Sequence, residues 1–423
     1  MKKRFIYISI LLTGLSCGLF ISCVKSVEDN PIFDNSKLAC PFVLTSDTNQ
    51  IILKDYFPDI KKKIKVKSAG INLVKTSKIN NDTLLLVKKK NQKRLTTIDI
   101  YSDIERGTIL IENRNNQIDS LAPFLITSSS LDNGTIINVE VKNAPATYFV
   151  FWQNTLLDSR YLSYNSEGSF QIELPQIAKK HKRSYIRVFA YNSQGISNDL
   201  LIPLSYRQVI SDPEKLNRKD PQTQILYSLM IDRFYEGSFS DLSKNIQKNL
   251  DTHGYHKLMF DNPDTQDQAA GYRKIDVTDK NAYKKLIMLQ TLNFTMPRVP
   301  CIYYGDEFKQ LEENNSANNL WEQSVSKDLS EAELLDHVKN LTHLRRSFMP
   351  LLYGDYLPLL ATQNVFIYMR IYLGQYVIVA LNKSEQTIDE IKINLPLNLK
   401  YEGKSKMTLK LLPLESKIII SEK

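Results

Sequence analysis

Cysteine and histidine are scarce in this chain, and their scarcity removes whole classes of function. Of 423 residues only four are cysteine, at positions 17, 23, 40 and 301, and five are histidine. No two cysteines form a Cys-x-x-Cys pair. The sequence therefore encodes neither a zinc ribbon nor the disulfide framework of a small secreted domain. His253 and His256 stand near Asp261 and Asp264, but the spacing is loose for a metal site and fits a surface loop. Phosphate-cradling glycine loops and dinucleotide fingerprints are absent as well, so no cofactor is expected. The one apolar stretch that approaches a membrane span, Phe5 to Ile21, is short and wrongly flanked for that role.

What is present begins with charge. The formal net charge is +9. Much of the excess lies in strand-like runs, Lys61-Lys62-Lys63-Ile64-Lys65-Val66-Lys67 and Lys88-Lys89-Lys90, which read as a solvated sheet face. No nucleic-acid module accompanies them, so no nucleic-acid partner is expected. At the N-terminus Lys2-Lys3-Arg4 precedes the apolar segment, which ends Leu19-Phe20-Ile21-Ser22-Cys23. A small residue before a cysteine at the end of such a segment resembles a bacterial lipobox. That resemblance implies a signal peptide over 1–22, lipidation of Cys23, and an exported, membrane-anchored body, periplasmic or on the cell surface. Buried lipid methylenes would hold it at about 0.8 kcal/mol each. Residues 23–38 read as a polar tether.

The body divides by pattern. Over 39–120 short β-rich runs alternate with polar turns: Ile51-Ile52-Leu53, Ile64-Lys65-Val66, Thr83 to Val87 and Thr108 to Ile111. This predicts a β-sandwich. Over 121–206 the runs Ile136 to Val141, Tyr148 to Trp152 and Tyr185 to Tyr191 predict an immunoglobulin- or fibronectin type III-like sandwich, with Trp152 in its core. Trp152 and Tyr148 are also the aromatics considered as glycan platforms. Asp212-Pro213 through Asp220-Pro221 reads as a polar linker. Beyond it, Ile225 to Ile231 and Cys301 to Tyr304 read as strands buried on both faces. Ala282 to Leu292 reads as a helix. Ser330-Glu331-Ala332-Glu333 is a capping box that opens a second helix, and Pro350 is expected to stop it. Over 353–423 the runs Val365 to Arg370, Tyr376 to Leu381, Ile391 to Leu395 and Lys417 to Ile420 predict an all-β C-terminal domain.

Three segments together resemble glycoside hydrolase family 13, the α-amylase family, and in particular its neopullulanase-like members. Ile225-Leu226-Tyr227-Ser228-Leu229-Met230-Ile231-Asp232-Arg233-Phe234-Tyr235-Glu236-Gly237 resembles the family's first barrel strand. Leu258-Met259-Phe260-Asp261-Asn262-Pro263-Asp264-Thr265 resembles the strand-seven motif. Asn293 to Phe308 resembles the eighth strand and its loop. The resemblance implies a (β/α)8 barrel region over 222–352, and it matches Asp264 to the family's transition-state-stabilising, substrate-binding aspartate. Asp232, Arg233 and Glu307 take structural roles.

The departures from the pattern shape the functional expectation. An eight-stranded barrel needs about 250 residues, and the region offered here is about half that. Between Gly237 and Leu258 only Ser238 to Lys257 remains, a polar loop or helix, where the family runs through strands two to six. The segments that carry the nucleophilic aspartate and the acid glutamate are missing with it. Gly271-Tyr272-Arg273-Lys274-Ile275-Asp276 has one residue too many for the nucleophile motif and lies on the wrong side of Asp264. Pro263 replaces the histidine usual beside that aspartate and supplies no ring N–H. The expected fold is therefore multidomain: two N-terminal β-sandwiches, a truncated α/β remnant of a barrel docked as an open layer, and a C-terminal β-domain. The expected function is an α-glucan-related lipoprotein without complete catalytic machinery, able to bind starch or maltooligosaccharide. The alternatives are a residual α-glycosidase with a site completed by other carboxylates or a partner chain, and a non-catalytic surface lipoprotein that binds a protein.

Overall fold

The structure is a computed structural model. It describes residues 41–53, 65–68, 74–78, 83–88, 95–101, 106–113, 121–144, 146–165, 168–217, 220–228, 234–235, 272–273, 281–297, 299–303, 329–396 and 399–421. Most of its regular structure is antiparallel sheet.

Seven strands come first: β1 (Phe42–Val43), β2 (Thr48–Ile52), β3 (Lys65–Ser68), β4 (Val74–Lys78), β5 (Thr83–Lys88), β6 (Leu95–Tyr101) and β7 (Arg106–Glu112). They form one sheet in the order β1-β7-β6-β3 and another in the order β2-β5-β4. Ile51, Leu84 and Leu86 of the smaller sheet share a core with Ile98, Ile100, Ile109 and Ile111 of the larger. The alternation of buried and exposed residues along β2 is what one covered face produces.

Nine more strands follow: β8 (Phe124–Leu131), β9 (Ile136–Lys142), β10 (Thr147–Trp152), β11 (Thr155–Leu156), β12 (Leu162–Tyr164), β13 (Phe170–Glu173), β14 (Ser184–Tyr191), β15 (Leu200–Ser205) and β16 (Gln208–Val209). Their sheets run β12-β13-β9-β8 and β11-β10-β14-β15-β16. Trp152 lies fully buried in the core between them, beside Ile137, Ile172, Ile186 and Val188. The loss of alternation in the second half of β14 has a cause. Phe189, on its outer face, packs with Phe151 against Leu95 and Leu110 of the preceding sheets.

The next segment holds β17 (Leu226–Ser228), β18 (Phe234–Tyr235), β19 (Tyr272–Arg273), helix α1 (Ala282–Thr295), β20 (Cys301–Tyr303), α2 (Leu329–Ser347) and α3 (Met349–Tyr353). Last come β21 (Asp355–Ala361), β22 (Val365–Tyr372), β23 (Gln375–Asn382), β24 (Ile388–Asn394), β25 (Lys406–Leu411) and β26 (Ser416–Ile420). The sheet β21-β22-β23-β26 is covered on both faces. Ile367, Met369 and Ile378 face the β24-β25 ribbon, whereas Phe366, Tyr368, Val377 and Val379 face α1 and α3. Every residue of β22 is buried for this reason.

Four expectations need correction. The segment from Asp212 to Pro221 is no free linker. Each Asp-Pro pair starts a short 3-10 turn, with Asp212 accepting from the Glu214 amide and Asp220 from the Gln222 amide. Leu216 and Asp220 are then buried against neighbouring elements. Pro350 does not stop α2, which ends at Ser347; it sits in the first turn of α3, where its missing N–H costs nothing. Helix α2 begins at Leu329, so Ser330 is inside the helix and not its cap. Finally, β17 is not buried on both faces: Leu226 is 37% exposed, and Cys301 and Ile302 of β20 are only half-buried. This two-stranded pair has one partner per strand among the described residues and cannot bury itself as an internal barrel strand would.

Candidate functional site

The residues singled out by sequence lie mostly outside the described set. This holds for Cys23, Asp264, Asp232, Arg233, Glu307, His253, His256, the stretch Ser238 to Lys257 and the tether. Among the described residues no group of histidine, cysteine and carboxylate side chains could hold a metal, and Cys301 forms no disulfide.

What the backbone does fix is how the segments that carry those residues enter and leave. Strands β17 and β20 pair in parallel, Leu226 with Cys301, Tyr227 with Ile302 and Ser228 with Tyr303. The C-terminal residues of both strands, Ser228 and Tyr303, therefore lie at the same end of the pair. In barrels of parallel strands this is the end that carries the chemistry. The ribbon β18-β19 pairs Phe234 with Arg273 and Tyr235 with Tyr272. It lays the chain just after Asp232-Arg233 beside the chain that follows Asp264.

Helix α1 holds this pair in place. The Asn293 side chain clamps β20 from both sides of one residue: Nδ2 donates to the Cys301 carbonyl at 2.6 Å and Oδ1 accepts from the Cys301 amide at 3.2 Å. Leu286 and Phe294 of α1 pack with Leu334, Val338 and Leu341 of α2 over Ile225 and Ile302. The opposite face of α1, Met288 and Leu292, lies on the C-terminal sheet. From Gln290 onward this helix is buried, so its polar side chains must find partners there. Thr291 donates to the Ile287 carbonyl at 2.8 Å, and Thr295 bonds both the Thr291 carbonyl and the Tyr368 hydroxyl. Between α1 and α2, His337 Nε2 meets Thr291 Oγ1 at 2.9 Å. Because that hydroxyl already donates to Ile287, the ring nitrogen is the donor. Burial holds the His337 imidazole below its ordinary range, opposed by the Ile287 carbonyl and Glu333.

Two buried arginines close the end of α1. Arg345 Nη1 donates to the Phe294 and Met296 carbonyls at 3.0 Å each, and Arg370 Nη1 donates to the Thr295 carbonyl at 2.8 Å. These are the last carbonyls of the helix, where orphan acceptors and the negative end of the dipole favour cations. Arg370 also reaches the Gly354 carbonyl through Nε and Nη2. It stands near Asp355, whose carboxyl burial pushes well up; Asn198 and Arg370 oppose that shift, and Asp199 adds to it. Asn198 bridges Asp355 and both backbone groups of Leu125, which ties the second pair of sheets to the C-terminal sheet. The β22-β23 hairpin reaches the same sheet. Leu373 and Gly374 both take positive φ, and the Gly374 amide donates to the Thr127 carbonyl. A Cβ on Gly374 would lie 2.6 Å from the Ser128 carbonyl oxygen. None of these polar joints was read from the sequence. The available signal was a charge inside an otherwise apolar strand, Arg370 within Val365 to Tyr372.

Of the aromatics considered as glycan platforms, Trp152 is fully buried and cannot meet a ligand. Tyr148 is half-buried, and its ring lies 5.7 Å from that of Tyr164, an exposed residue that sequence reasoning missed.

No protein-family model and no curated protein sequence matches the chain. Solved structures do overlap with it. A debranching enzyme from Nostoc punctiforme, soaked with acarbose, matches 44% of this chain and 38% of its own length at 16% identity and a TM-score of 0.34. A cyclomaltodextrin glucanotransferase with a three-domain arrangement matches 44% and 41%, at 21% identity and a TM-score of 0.33. An Anoxybacillus α-amylase matches 33% and 32%, at 21% identity and a TM-score of 0.29. The chain thus spans about two fifths or less of these structures, all glucan-active enzymes by name, and the overlap is partial and of low identity.

Proposed function

We propose that this chain is a membrane-anchored lipoprotein related to the α-amylase family, with the middle of the barrel missing, and that it binds α-glucan without hydrolysing it. The observation that carries the reading is the parallel pairing of β17 with β20. In a closed eight-stranded barrel the first and last strands are neighbours, and the segments that resemble the family's first and eighth strands are neighbours here. Only residues 229–300 separate them, too few for six further βα units. The helices that follow β19 and β20 support the reading too, since α1 and α2 cover the strand pair and dock it on the C-terminal sheet.

The expected loss of hydrolysis follows from chemistry. A retaining glycosidase needs a nucleophilic carboxylate and an acid carboxylate about 5–5.5 Å apart across the bond to be cut. Asp264 is the one residue matched to the family's set, and it is the third, assisting carboxylate, not one of that pair. The lipid on Cys23 would keep the glucan-binding body at the membrane.

The test is calorimetric titration of the full chain, held in a detergent without a sugar headgroup, with maltoheptaose. Saturable binding with one-to-one or two-to-one stoichiometry supports the reading. No heat at millimolar ligand, with the protein folded by circular dichroism, rejects it.

A further inference from the structure

We propose that Tyr164 and Tyr148 form a stacking site for a neutral sugar chain, an α-glucan oligosaccharide, at the open edge between the two sheets that enclose Trp152. This inference rests on the glucan-binding reading and names a site for it.

The two tyrosines come from facing sheets. Tyr164 ends β12 and pairs with Phe170 across the β12-β13 hairpin. Tyr148 lies on β10 opposite Ala190. Phe170, only 2% exposed, forms the floor. Its ring centroid is 4.7 Å from that of Tyr148 and 5.7 Å from that of Tyr164. Tyr164 is 55% exposed despite these contacts. An aromatic side chain held by two others yet open to solvent has already lost its rotamer freedom, so binding orders little that was mobile.

Geometry and chemistry select the ligand. The tyrosine planes meet at 32° with their centroids 5.7 Å apart. The Tyr148 hydroxyl donates to the Gly168 carbonyl at 2.9 Å, which fixes its ring. Glycine at 168 is required by a different neighbour. The Gly168 φ is +85°, and a Cβ there would lie 2.6 Å from the Cβ of Ala144. The described hairpin residues Ser163, Asn165, Gly168 and Ser169 carry no charge, and Ser163 and Asn165 are exposed; Glu167, in the turn between them, lies outside the described residues. Aromatic faces bordered by uncharged hydrogen-bonding groups suit a ligand with C–H faces and peripheral hydroxyls, which describes a pyranose.

The experiment is maltoheptaose titration of the full chain and of Tyr164→Ala, Tyr164→Leu, Tyr164→Phe and Tyr206→Ala. Tyr206 is also exposed, at 52%, on a turn of the same sheets, and serves as the control. Tyr164→Ala and Tyr164→Leu are expected to weaken binding about tenfold or more, as loss of an anchoring aromatic does. Tyr164→Phe keeps the face and is expected to stay within about threefold, and Tyr206→Ala is expected to match the wild type. Leucine preserves apolar packing on Phe170, so it separates stacking from folding. Binding by the wild type that Tyr164→Leu leaves unchanged overturns this site while sparing the glucan-binding reading. A wild-type chain that does not bind at all overturns both.

Discussion

Replacing Tyr353 with phenylalanine removes a single O–H from the joint between α3 and the Asp-Pro turn, and the consequence can be worked out in size and sign. The hydroxyl of Tyr353 sits 2.8 Å from Oδ1 and 2.7 Å from Oδ2 of Asp220, and both residues are buried. One hydrogen shared by two oxygens counts as one bond. A hydrogen bond to a buried carboxylate contributes about 1.5–3 kcal/mol, and phenylalanine leaves the acceptor short of a partner. Burial already pushes the Asp220 carboxyl up, and the Tyr353 hydroxyl, the Gln222 amide and Arg183 oppose that shift. The hydroxyl therefore favours the ionised form, and without it the folded-state pKa rises further. A raised folded pKa means that Asp220's contribution is fully present below its unfolded value and is lost as pH rises through the folded value. The variant is thus most impaired at neutral pH and approaches the wild type as acid protonates Asp220. Urea unfolding, followed by circular dichroism from about pH 7 to about pH 4, measures the difference at each pH. Asp220→Asn and the double variant supply the coupling energy. A loss below about 0.5 kcal/mol at neutral pH, or one independent of pH, would refute the reasoning.

Three further outcomes are expected. His337 has its pKa lowered by burial between α1 and α2, so it contributes stability that is present above its unfolded value and is lost as pH falls from there through the lower folded value; His337→Gln should flatten that limb of the stability–pH curve, and an unchanged limb would count against the packing described. Gly354→Ala should destabilise the chain by about 2 kcal/mol or more, because a Cβ would collide with the Pro350 carbonyl oxygen and lie 2.8 Å from Pro350 Cα and 2.9 Å from the Ile371 carbonyl oxygen; equal melting temperatures would contradict it. Cys23→Ala should abolish incorporation of labelled fatty acid and move the chain from the membrane to the soluble fraction, and labelling that persists in the variant would dismiss the lipid anchor.

The strands of the sequence were legible where one or both faces are apolar, and so were the two long helices. Strand β25 shows where legibility was left unused: Lys406–Leu411 alternates exposed and buried at every residue, a clear period of two. In β22 and β23 the apolar runs announced strands but not their double burial. That depends on α1, whose own covered faces are set by a sheet distant in the chain. The Asp-Pro pairs read as linker because composition alone does not separate a loose connection from a capped turn docked by a tyrosine from another element. The polar joints at Arg345, Arg370 and Asn198 depend on carbonyls supplied by remote segments, which no local pattern encodes. The aromatic pair escaped notice because Tyr148 and Tyr164 belong to different sheets and meet only at the edge of the sandwich.

On the proposed reading, a chain with a family-like strand pair but without the nucleophile and acid segments binds glucan and leaves it intact. Reducing-end release from maltoheptaose, followed overnight with the same full-length protein at ligand concentrations that saturate it, tests this most directly. The expected result is release no faster than in buffer alone. Release that scales with protein concentration, and that disappears in Asp264→Asn, would overturn the reading and require a nucleophile and an acid carboxylate from other residues of the chain.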